Sequence, residues 1–410
     1  MKILHTADWH LGDRLGRIDR TDDLRRAVER IADYCRSEQV DVLLVAGDLF
    51  SELARPDGLR DAIRHLQETF AGFLRDGGTI IAITGNHDNE NFCQTLWHAM
   101  TLASPAGGNE GKPASLGRLH LATGPAFLRL PDRRAGFDVQ FVLMPFPTPN
   151  RFLHDEPAQK YSSLDEKNRH LSSAFLKKLQ SIVSSPGFHT DQPSVLAAHL
   201  TVMGNEIPLL FRLSQHEDIM LPAADIPSQF SFVALGHIHK AQMVAGKPHV
   251  RYPGSIDRLD LGEQNDEKGV LLLEIGPKGL IGEPETLPLD ATPIYELEIF
   301  NPKEQMPTLA ERYAGAERDL VNLHVNYTAG ADNLDEILRQ LEKIFPRWYA
   351  RDWKETGALG ASLAPADGHR GQSFEDTVRE YLGSELVNHD ETERAALLER
   401  AEALMRELES

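Results

Sequence analysis

The chain has 410 residues, more than one ordinary domain of about 100–200 residues, so we expect at least two folded units. Its formal net charge of −19 argues, for the chain as a whole, against a protein that coats a polyanion, because phosphate-binding faces are normally basic. A hydrophobic fraction of 41% suits a soluble globular protein and argues against wholesale disorder.

Cysteine content and the first residues indicate the compartment. Two cysteines, Cys35 and Cys93, are too few to hold a chain of this size together by disulfides and indicate reduced thiols in a core. The opening segment MKILHTADWH lacks the apolar stretch of a signal peptide, and no window approaches the ~18–20 apolar residues of a membrane span. We therefore expect a cytoplasmic protein without a membrane partner.

The first 90 residues alternate between strand and helix patterns. After a short apolar start at 3–5, apolar residues spaced as one helical face run over 24–35 and again over 59–73. Each helix pattern is followed by a continuous apolar run typical of a strand buried on both faces, VDVLLVAG (40–47) and TIIAITG (79–85). This β-α-β-α-β order predicts an α/β domain in which helices cover a sheet.

The strand pattern continues to about residue 275. A Gly- and Pro-rich stretch at 103–117 is interpreted as an exposed loop, and a helix is predicted near 170–183. Further strands are predicted at 118–122, 137–145, 194–199, 231–236 and 269–275. We assign residues 1–284 to this first domain.

A second, smaller unit is predicted near residue 288, where the pattern changes. Strands and helices alternate at 293–300, 303–315, 320–327 and 334–344. We therefore predict a separate α+β domain over 285–352.

The remaining residues form a linker-like stretch and a helical tail. Residues 353–372 have the composition of a linker, and two amphipathic helices with capping-box starts are predicted within 373–410. The two helices either pack on the core, which is the common fate of such segments, or dock into a groove of a partner protein. The tail carries 11 acidic residues and four arginines.

Five short segments place metal-binding side chains just past the ends of predicted strands. They are Asp8-Trp9-His10, Gly47-Asp48, Gly85-Asn86-His87-Asp88, Ala198-His199 and Gly236-His237-Ile238-His239. In open α/β sheets, sites collect at the carboxyl ends of the strands, so these segments can converge on one rim. Each segment alone is more often a turn, a cap or a buried histidine, but five in this order, each after an apolar strand, predict a site.

The donors in these segments are imidazoles, carboxylates and one amide, without a thiolate. Such a set suits Mn²⁺, Fe or Zn²⁺ better than a structural zinc cage. The seven predicted ligands are Asp8, His10, Asp48, Asn86, His199, His237 and His239. Seven ligands are too many for one tetrahedral ion and fit two ions ~3.5–4 Å apart that share one carboxylate.

The order of these motifs resembles that of the calcineurin-like metallophosphoesterase superfamily, and within it the family of bacterial SbcD nuclease subunits and their archaeal and eukaryotic break-repair counterparts. The matching segments are LHTADWHLG (4–12), VAGDLF (45–50), GNHD (85–88), LGHIHKAQ (235–242) and YPGSIDRLDLGE (252–263). The resemblance covers about residues 1–275 well and the remainder only in layout. It implies a layered β-sandwich flanked by helices, with a small α+β capping domain and a C-terminal helical pair.

The resemblance also implies a role for each motif residue. One ion would be held by Asp8, His10, Asp48 and His239, and the other by Asp48, Asn86, His199 and His237. His87 would contact the scissile phosphate and assist the leaving oxygen, and Asp88 would orient the His87 ring through its N–H. Some relatives carry a second histidine shortly after the G-D-x-F motif, whereas this chain has Ser51-Glu52-Leu53 there.

The activity that the resemblance implies is a manganese-dependent DNA nuclease, acting as an exonuclease on double-stranded ends and as an endonuclease on single strands and hairpins. It would process DNA ends in repair, recombination and replication, near the nucleoid. The implied partners are a second nuclease subunit, bound through helices of the first domain, and an SbcC-type coiled-coil ATPase in a heterotetramer-like complex. Residues 373–410 would dock on the ATPase, and residues 285–352 would help to bind DNA.

Three other functions are disfavoured by the sequence. A phosphoprotein phosphatase of the superfamily usually shows G-N-H-E, whereas this chain has Gly-Asn-His-Asp at 85–88. A cyclic-nucleotide or metabolite phosphodiesterase remains an alternative, but would rarely need the appended α+β unit and tail. A scaffold with a vestigial site is disfavoured, because every expected ligand is present.

The charge distribution changes how the acidic total should be interpreted. A net charge of −7 lies in residues 373–410, the segment assigned to a protein partner. Two divalent ions would also offset the carboxylates of the site locally. The acidity therefore does not exclude DNA, but it predicts weak, salt-sensitive DNA binding by this subunit alone.

Overall fold

The structure is a computed structural model that describes residues 1–103, 116–156, 160–203 and 219–356. Among these, Met1–Tyr327 and Asp332–Lys354 belong to one compact unit, and Thr328–Ala331 and Glu355–Thr356 belong to a second. No helix within the described ranges is long and apolar enough to cross a bilayer. The predicted helical tail and most of the predicted linker and of the predicted loop at 103–117 lie outside the described residues.

The strands fall into two large sheets and several small ones. In chain order the strands are β1 (Lys2–Thr6), β2 (Arg14–Leu15), β3 (Ile18–Asp19), β4 (Val42–Ala46), β5 (Thr79–Ile83), β6 (Leu119–Ala122), β7 (Ala126–Pro131), β8 (Asp138–Met144), β9 (Ser194–His199), β10 (Thr201–Met203), β11 (Met220–Pro222), β12 (Phe232–Gly236), β13 (Gln242–Val244), β14 (Lys247–Tyr252), β15 (Gly269–Gly276), β16 (Gly279–Pro288), β17 (Ile294–Ile299), β18 (Leu320–Tyr327) and β19 (Trp348–Glu355).

The helices cover the outer faces of the sheets. In chain order they are α1 (Thr21–Ser37), α2 (Pro56–Arg75), α3 (Glu90–Ala103), α4 (Pro149–Phe152), α5 (Leu164–Val183), α6 (Pro302–Arg312) and α7 (Leu334–Ile344). Proline occupies the first helical position of α2, α4 and α6, where its missing N–H leaves no hydrogen bond unmade.

Each large sheet has six strands with a parallel centre. The first has the order β16-β15-β1-β4-β5-β6, in which β1, β4, β5 and β6 are parallel. The second has the order β13-β14-β12-β9-β8-β7, in which β8, β9, β12 and β14 are parallel. In the first sheet, the antiparallel strands β15 and β16 lie at one edge. In the second sheet, antiparallel strands lie at both edges, β7 at one and β13 at the other.

The two sheets pack face to face with helices outside. Apolar side chains of β4 and β5 meet those of β8 and β9 in a shared core between the sheets. Helices α1, α2 and α3 pack on the outer face of the first sheet, and α4 and α5 on that of the second. The parallel strands therefore lie between two apolar layers, which explains their continuous apolar runs. The predicted α/β sandwich flanked by helices is confirmed.

A small α+β part follows the sandwich. Strands β17, β18 and β19 form one sheet, and α6 and α7 pack on one of its faces with their own apolar core. The β2–β3 hairpin touches this part, because the Arg17 guanidinium donates to the carbonyls of Trp348 at 3.0 Å and Pro346 at 2.9 Å. The hairpin begins only four residues after His10, so the α+β part lies beside the rim where the motifs were predicted to converge.

Candidate metal centre

The five motif segments follow strand ends on both sheets. Asp8, Asp48 and Asn86 come just after β1, β4 and β5 of the first sheet. His199 ends β9 of the second sheet and pairs in register with Gly236, the last residue of β12. Since these strands are parallel within each sheet, their carboxyl ends bring the motif residues to one rim of the sandwich.

Several motif residues adopt backbone conformations that L-residues rarely use. The φ angle is +53° at Asp8, +45° at His10, +50° at Asp48 and +97° at His237. The turns are held by their neighbours, since the amides of Trp9 and His10 both donate to the Asp48 carbonyl, at 2.8 and 3.0 Å. Strain of this kind costs about 1–3 kcal/mol per residue and is characteristic of functional sites.

Glycines let the strand ends approach each other. A Cβ added at Gly85 would lie 2.0 Å from Asp48 Oδ1, and one at Gly47 would lie 2.1 Å from His199 Nδ1. A Cβ at Gly236 would lie 2.0 Å from the Ala46 carbonyl oxygen. At these three positions, any residue other than glycine would place a Cβ against an atom of the neighbouring strand end.

Donor atoms gather in two overlapping groups. Asp8, His10 and His239 form one group, and Asp8, Asp48 and His199 form the other. Within each group the donor atoms lie within 4.8 Å of one another. Asp8 belongs to both groups, so the two groups share one carboxylate.

The remaining predicted ligands adjoin the second group. Asn86 Oδ1 lies 3.0 Å from His199 Nε2 and 2.9 Å from His237 Nδ1. The Asp48 carboxylate, a member of the second group, also approaches the first, because its Oδ2 lies 3.3 Å from His199 Nε2 and 3.5 Å from His10 Nε2. The structure thus brings all seven predicted ligands together.

Two buried carboxylates lie close together at the site, an arrangement that favours a cation between them. Asp8 and Asp48 are both buried. Burial, with a smaller contribution from Asp48, raises the pKa of the Asp8 carboxyl above its usual range. Burial also opposes the charge of Asp48, but His199 and His10 hold the pKa of Asp48 well below its usual range. Two adjacent buried carboxylates repel each other unless a positive charge lies between them.

His10 supplies the sharpest test of whether a metal fits. Its ring is buried, which lowers its pKa to about 3 and leaves it neutral. Its Nε2 atom is buried and has no hydrogen-bond partner in the part of the chain that the structure describes, and it lies 3.5 Å from Asp48 Oδ2. A neutral imidazole nitrogen without a hydrogen-bond partner beside two carboxylates has the donor properties of a metal ligand. The residues present therefore fit a divalent cation.

His199 differs from His10 in its electrostatics. Burial alone would lower its pKa, but the Asp48 carboxylate, with Asp8 and the Ala46 carbonyl, raises the pKa of His199 to about 9. Its Nδ1 lies 2.7 Å from the Ala46 carbonyl, which fixes the proton on Nδ1 and turns Nε2 toward Asp48 and Asn86.

His87 lies at the open side of the site. Its side chain is 35% exposed, and its ring centroid is 5.0 Å from that of buried His10. The His87 Nδ1 atom lies 3.6 Å from the carboxylate of Glu52. Glu52 belongs to the stretch Ser51-Glu52-Leu53, which follows the G-D-x-F motif and contains no histidine.

The role predicted for Asp88 needs correction. Its carboxylate does not meet the His87 ring but accepts hydrogen bonds from the amides of Gly85 at 2.7 Å, Phe50 at 2.8 Å and Leu49 at 3.3 Å. Burial and nearby Asp48 raise the pKa of Asp88 to about 6. Asp88 therefore ties the loop after β5 to the loop after β4, and it acts on the position of the backbone rather than on the His87 ring.

Two buried supports were not predicted from the sequence. Arg151 in α4 donates to the carbonyls of Gly85 at 2.9 Å and Phe146 at 3.0 Å and fastens the motif loop after β5. Glu263 accepts a hydrogen bond from His239 Nδ1 at 2.8 Å. Arg151 lies in no recognisable motif, whereas Glu263 is the last residue of the segment YPGSIDRLDLGE that contributes to the family resemblance.

Comparison with known proteins agrees with this geometry. The family described as calcineurin-like phosphoesterase matches residues 1–185. The SbcD subunit of nuclease SbcCD from Rhodobacter capsulatus is 30% identical over 281 residues, which are 67% of this chain and 66% of that protein.

Two further relatives with the same name are similar. The protein of Bacillus subtilis is 27% identical over 68% of this chain and 67% of its own length. That of Escherichia coli K12 is 29% identical over 67% of this chain and 64% of its own length. The chain thus spans about two thirds of the length of the curated relatives it matches. Residues 1–185 thus match the calcineurin-like phosphoesterase family, and the chain is similar to the SbcD subunits of nuclease SbcCD.

Proposed function

We propose that the chain is the nuclease subunit of a DNA end-processing complex and that it hydrolyses phosphodiester bonds with two divalent metal ions, preferentially Mn²⁺. The observation that carries the proposal is the convergence of seven N and O ligands from five strand ends, with the buried His10 Nε2 left without a hydrogen-bond partner among the described residues. The names of the relatives, which describe SbcCD nuclease subunits, support DNA as the substrate.

In this proposal the ligands divide between two ions. Asp8, His10, Asp48 and His239 hold one ion, and Asp48, Asn86, His199 and His237 hold the other. The short distances from Asp48 to His10 and His199 support a bridging position for its carboxylate. When bound, two such ions supply the positive charge and the activated water that in-line attack on phosphorus requires.

The chain's own residues supply the rest of the chemistry. The His87 ring reaches solvent beside the ligand His10, so it can contact a phosphodiester that lies over the site. His87 would donate a proton to the leaving oxygen, which is otherwise a poor leaving group. The tied loops after β4 and β5 hold His87 in place, because its own amide donates to Asp48 Oδ1 at 2.9 Å.

The finer assignments extend the same proposal to substrates and domains. The enzyme would act as an exonuclease on double-stranded ends and as an endonuclease on single strands and hairpins, in the cytoplasm near the nucleoid. Residues 1–284 would form the nuclease domain, and residues 285–352 would cap it and help to bind DNA. The Arg17 contacts that place the α+β part beside the rim support the capping role.

The proposed assembly is a dimer of nuclease subunits bound to a coiled-coil ATPase of the SbcC type. The exposed side chains Trp97 and Leu102 on α3 support an interface through helices of the first domain. The linker 353–372 and tail 373–410 would connect the chain to the ATPase. Deletion of residues 373–410 should abolish co-purification with the ATPase while cleavage of short single strands persists, and an unchanged complex would refute the docking role.

One activity screen tests the central proposal against its alternatives. Purified protein is incubated with labelled hairpin DNA, a phosphopeptide and bis-nitrophenyl phosphate, each with Mn²⁺ or with a chelator. The proposal predicts Mn²⁺-dependent cleavage of the hairpin and no release of phosphate from the peptide. Release of phosphate from the peptide without DNA cleavage would identify a phosphatase, and no activity on any substrate would indicate a vestigial site.

A further inference from the structure

The segment YPGSIDRLDLGE (252–263) contributes to the family resemblance, yet no role is predicted for any of its residues. In the structure this segment packs against the loop that carries His239. A Cβ added at Gly254 would lie 2.7 Å from the His239 carbonyl oxygen and 2.9 Å from the Ala241 amide nitrogen. Gly254 also has a φ of +83°, so both space and backbone conformation favour glycine there. The segment is therefore built to touch the His239 loop.

Hydrogen bonds fix the backbone of His239 from below. Its carbonyl accepts from the Ser255 amide at 3.1 Å and from Lys268 Nζ at 2.9 Å. Both donors are buried, so neither bond competes with water. The backbone position of His239 is thus set by the segment and by Lys268.

Glu263 fixes the side chain of the same residue. Its Oε1 lies 2.8 Å from His239 Nδ1, and the carboxylate is almost completely buried. The other oxygen, Oε2, accepts from Lys268 Nζ at 2.6 Å and from Ser255 Oγ at 2.9 Å. A buried carboxylate with these partners is held in one orientation and charge state, so the proton of the imidazole is held on Nδ1.

We infer that Glu263 is a positioning residue for the metal ion held by Asp8, His10 and His239. With the proton on Nδ1, the unprotonated Nε2 is the nitrogen left to bind metal, and the ring cannot rotate without breaking the bond to Glu263. The negative charge of Glu263 also makes the imidazole a stronger donor to a cation. The inference rests on the proposed two-metal function and adds a residue outside the predicted ligand set.

The structure explains why Glu263 is buried as a charge. Removal of a carboxylate from water is costly, and here Lys268 lies beside it as a buried partner. The loop that carries it is in turn anchored by Asp257, which accepts from Arg20 at 3.1 Å and from the Thr292 amide at 2.7 Å. The support of His239 is therefore a connected network of buried polar contacts.

The test is a titration of metal-free protein with Mn²⁺, followed by the electron paramagnetic resonance of free Mn²⁺. The variant Glu263→Gln keeps the size of the side chain and removes its charge. We expect wild type to bind two ions and Glu263→Gln to bind one of them about 10-fold or more weakly, while the other changes by no more than about 2-fold. The matched control Asp266→Asn removes a charge 3.7 Å from the same Lys268 without touching His239 and should bind both ions as wild type does.

The outcomes separate this inference from the proposed function. Two ions bound with unchanged affinity by Glu263→Gln, or equal weakening in Asp266→Asn, would overturn the positioning role. A wild type that binds no Mn²⁺ would overturn the proposed function itself and the inference with it.

A second measurement does not depend on whether Glu263→Gln folds. In wild-type protein loaded with diamagnetic Zn²⁺, ¹⁵N-labelled histidine reports which ring nitrogen carries the proton. The His239 signal, assigned by its loss in His239→Gln, should show protonation at Nδ1. Protonation at Nε2 instead would refute the inference.

Discussion

His87 is more exposed than the predicted ligand histidines His10, His199 and His239. Its side chain is 35% exposed, whereas that of His199 is completely buried. A ligand must lie among the other donors, whereas a proton donor must face the substrate. The difference in exposure therefore supports the different roles proposed for His87 and His199.

Replacement of His87 with alanine should slow DNA cleavage by about 10²–10⁴-fold, because the leaving oxygen loses its proton donor. Metal content should remain at two ions, since the ring is not a ligand. Rates on hairpin DNA and Mn²⁺ stoichiometry are the measurements. His98→Ala, which removes an exposed histidine of α3, is the matched control and should cleave normally. Normal turnover by His87→Ala would refute the assigned role.

Gly236 shows how strictly the rim depends on close backbone approach. Alanine there would place a Cβ 2.0 Å from the Ala46 carbonyl oxygen, so the two sheets must move apart at the site. We expect Gly236→Ala to lower the free energy of unfolding by about 1–3 kcal/mol and to weaken metal binding.

Gly72→Ala is the control for Gly236→Ala. Gly72 lies inside α2 with no atom within 4 Å of an added Cβ, so alanine should stabilise the protein by about 0.5–1 kcal/mol. Chemical denaturation measures both variants. Equal stability of Gly236→Ala and wild type would show that the rim tolerates separation of the sheets.

At the scale of elements, a buried ionic network joins α1 to the support of His239 and to the α+β part. Arg20 is completely buried and donates to Asp23 at 2.8 Å and to Asp257 at 3.1 Å. Arg347 of the α+β part donates to the same Asp23 at 3.1 Å. Burial alone would raise the pKa of the Asp23 carboxyl, but Arg347 and Arg20 lower it below its usual value, so Asp23 is held charged.

Arg20→Met should lower the free energy of unfolding by about 3–5 kcal/mol, because the buried carboxylates of Asp23 and Asp257 lose the buried cation that they share. Arg26→Met is the matched control, since Arg26 pairs with the same Asp23 from a side chain that is 43% exposed and should cost less than about 1 kcal/mol. Urea denaturation at pH 7 measures both. If the two variants lost similar free energies of unfolding, the burial of Arg20 would add nothing to the stability of the protein.

The pH dependence of this network follows from the direction of the Asp23 shift. The folded-state pKa of Asp23 is lower than the unfolded-state pKa, so the network stabilises the fold fully above the unfolded-state value. That contribution is lost as the pH falls through the folded-state pKa. In Arg20→Met the Asp23 pKa loses one of its lowering partners, so the cost of the substitution should shrink in acid.

The most buried strands were predicted from the sequence, whereas the edge strands β16 and β19 were not. Strands β4, β5 and β9 are continuous apolar runs because both of their faces are covered. Strands β16 and β19 lie at sheet edges, and their exposed residues give no apolar run or clear alternation. Single-sequence patterns report burial, so strands with little burial leave little signal.

The same limit applies to the site. The predicted ligands were recognisable because each follows a buried strand, and the structure brings all seven together. The contacts of Glu263 and Arg151 join residues that are 24 and 66 positions apart, so only the folded chain shows them. The contact expected between Asp88 and His87 failed because a carboxylate next to a histidine in sequence can turn to backbone amides instead.

At the scale of the whole molecule, an acidic protein would repel DNA, the proposed substrate, if its negative charge were spread evenly. The chain has a net charge of −19, of which −7 lies in residues 373–410. Cations held by Asp8 and Asp48 would offset the negative charge of these carboxylates at the rim. DNA binding by the isolated subunit should therefore be weak and steeply dependent on salt, with much of the affinity left to the partner.

The central claim is that one rim of the sandwich holds two metal ions. Anomalous diffraction from crystals of the protein soaked in Mn²⁺ tests it directly, without reference to activity. The account predicts two peaks about 3.5–4 Å apart, one beside His10 and His239 and the other beside Asn86 and His199, with Asp48 between them. A single peak, or peaks away from these residues, would contradict it.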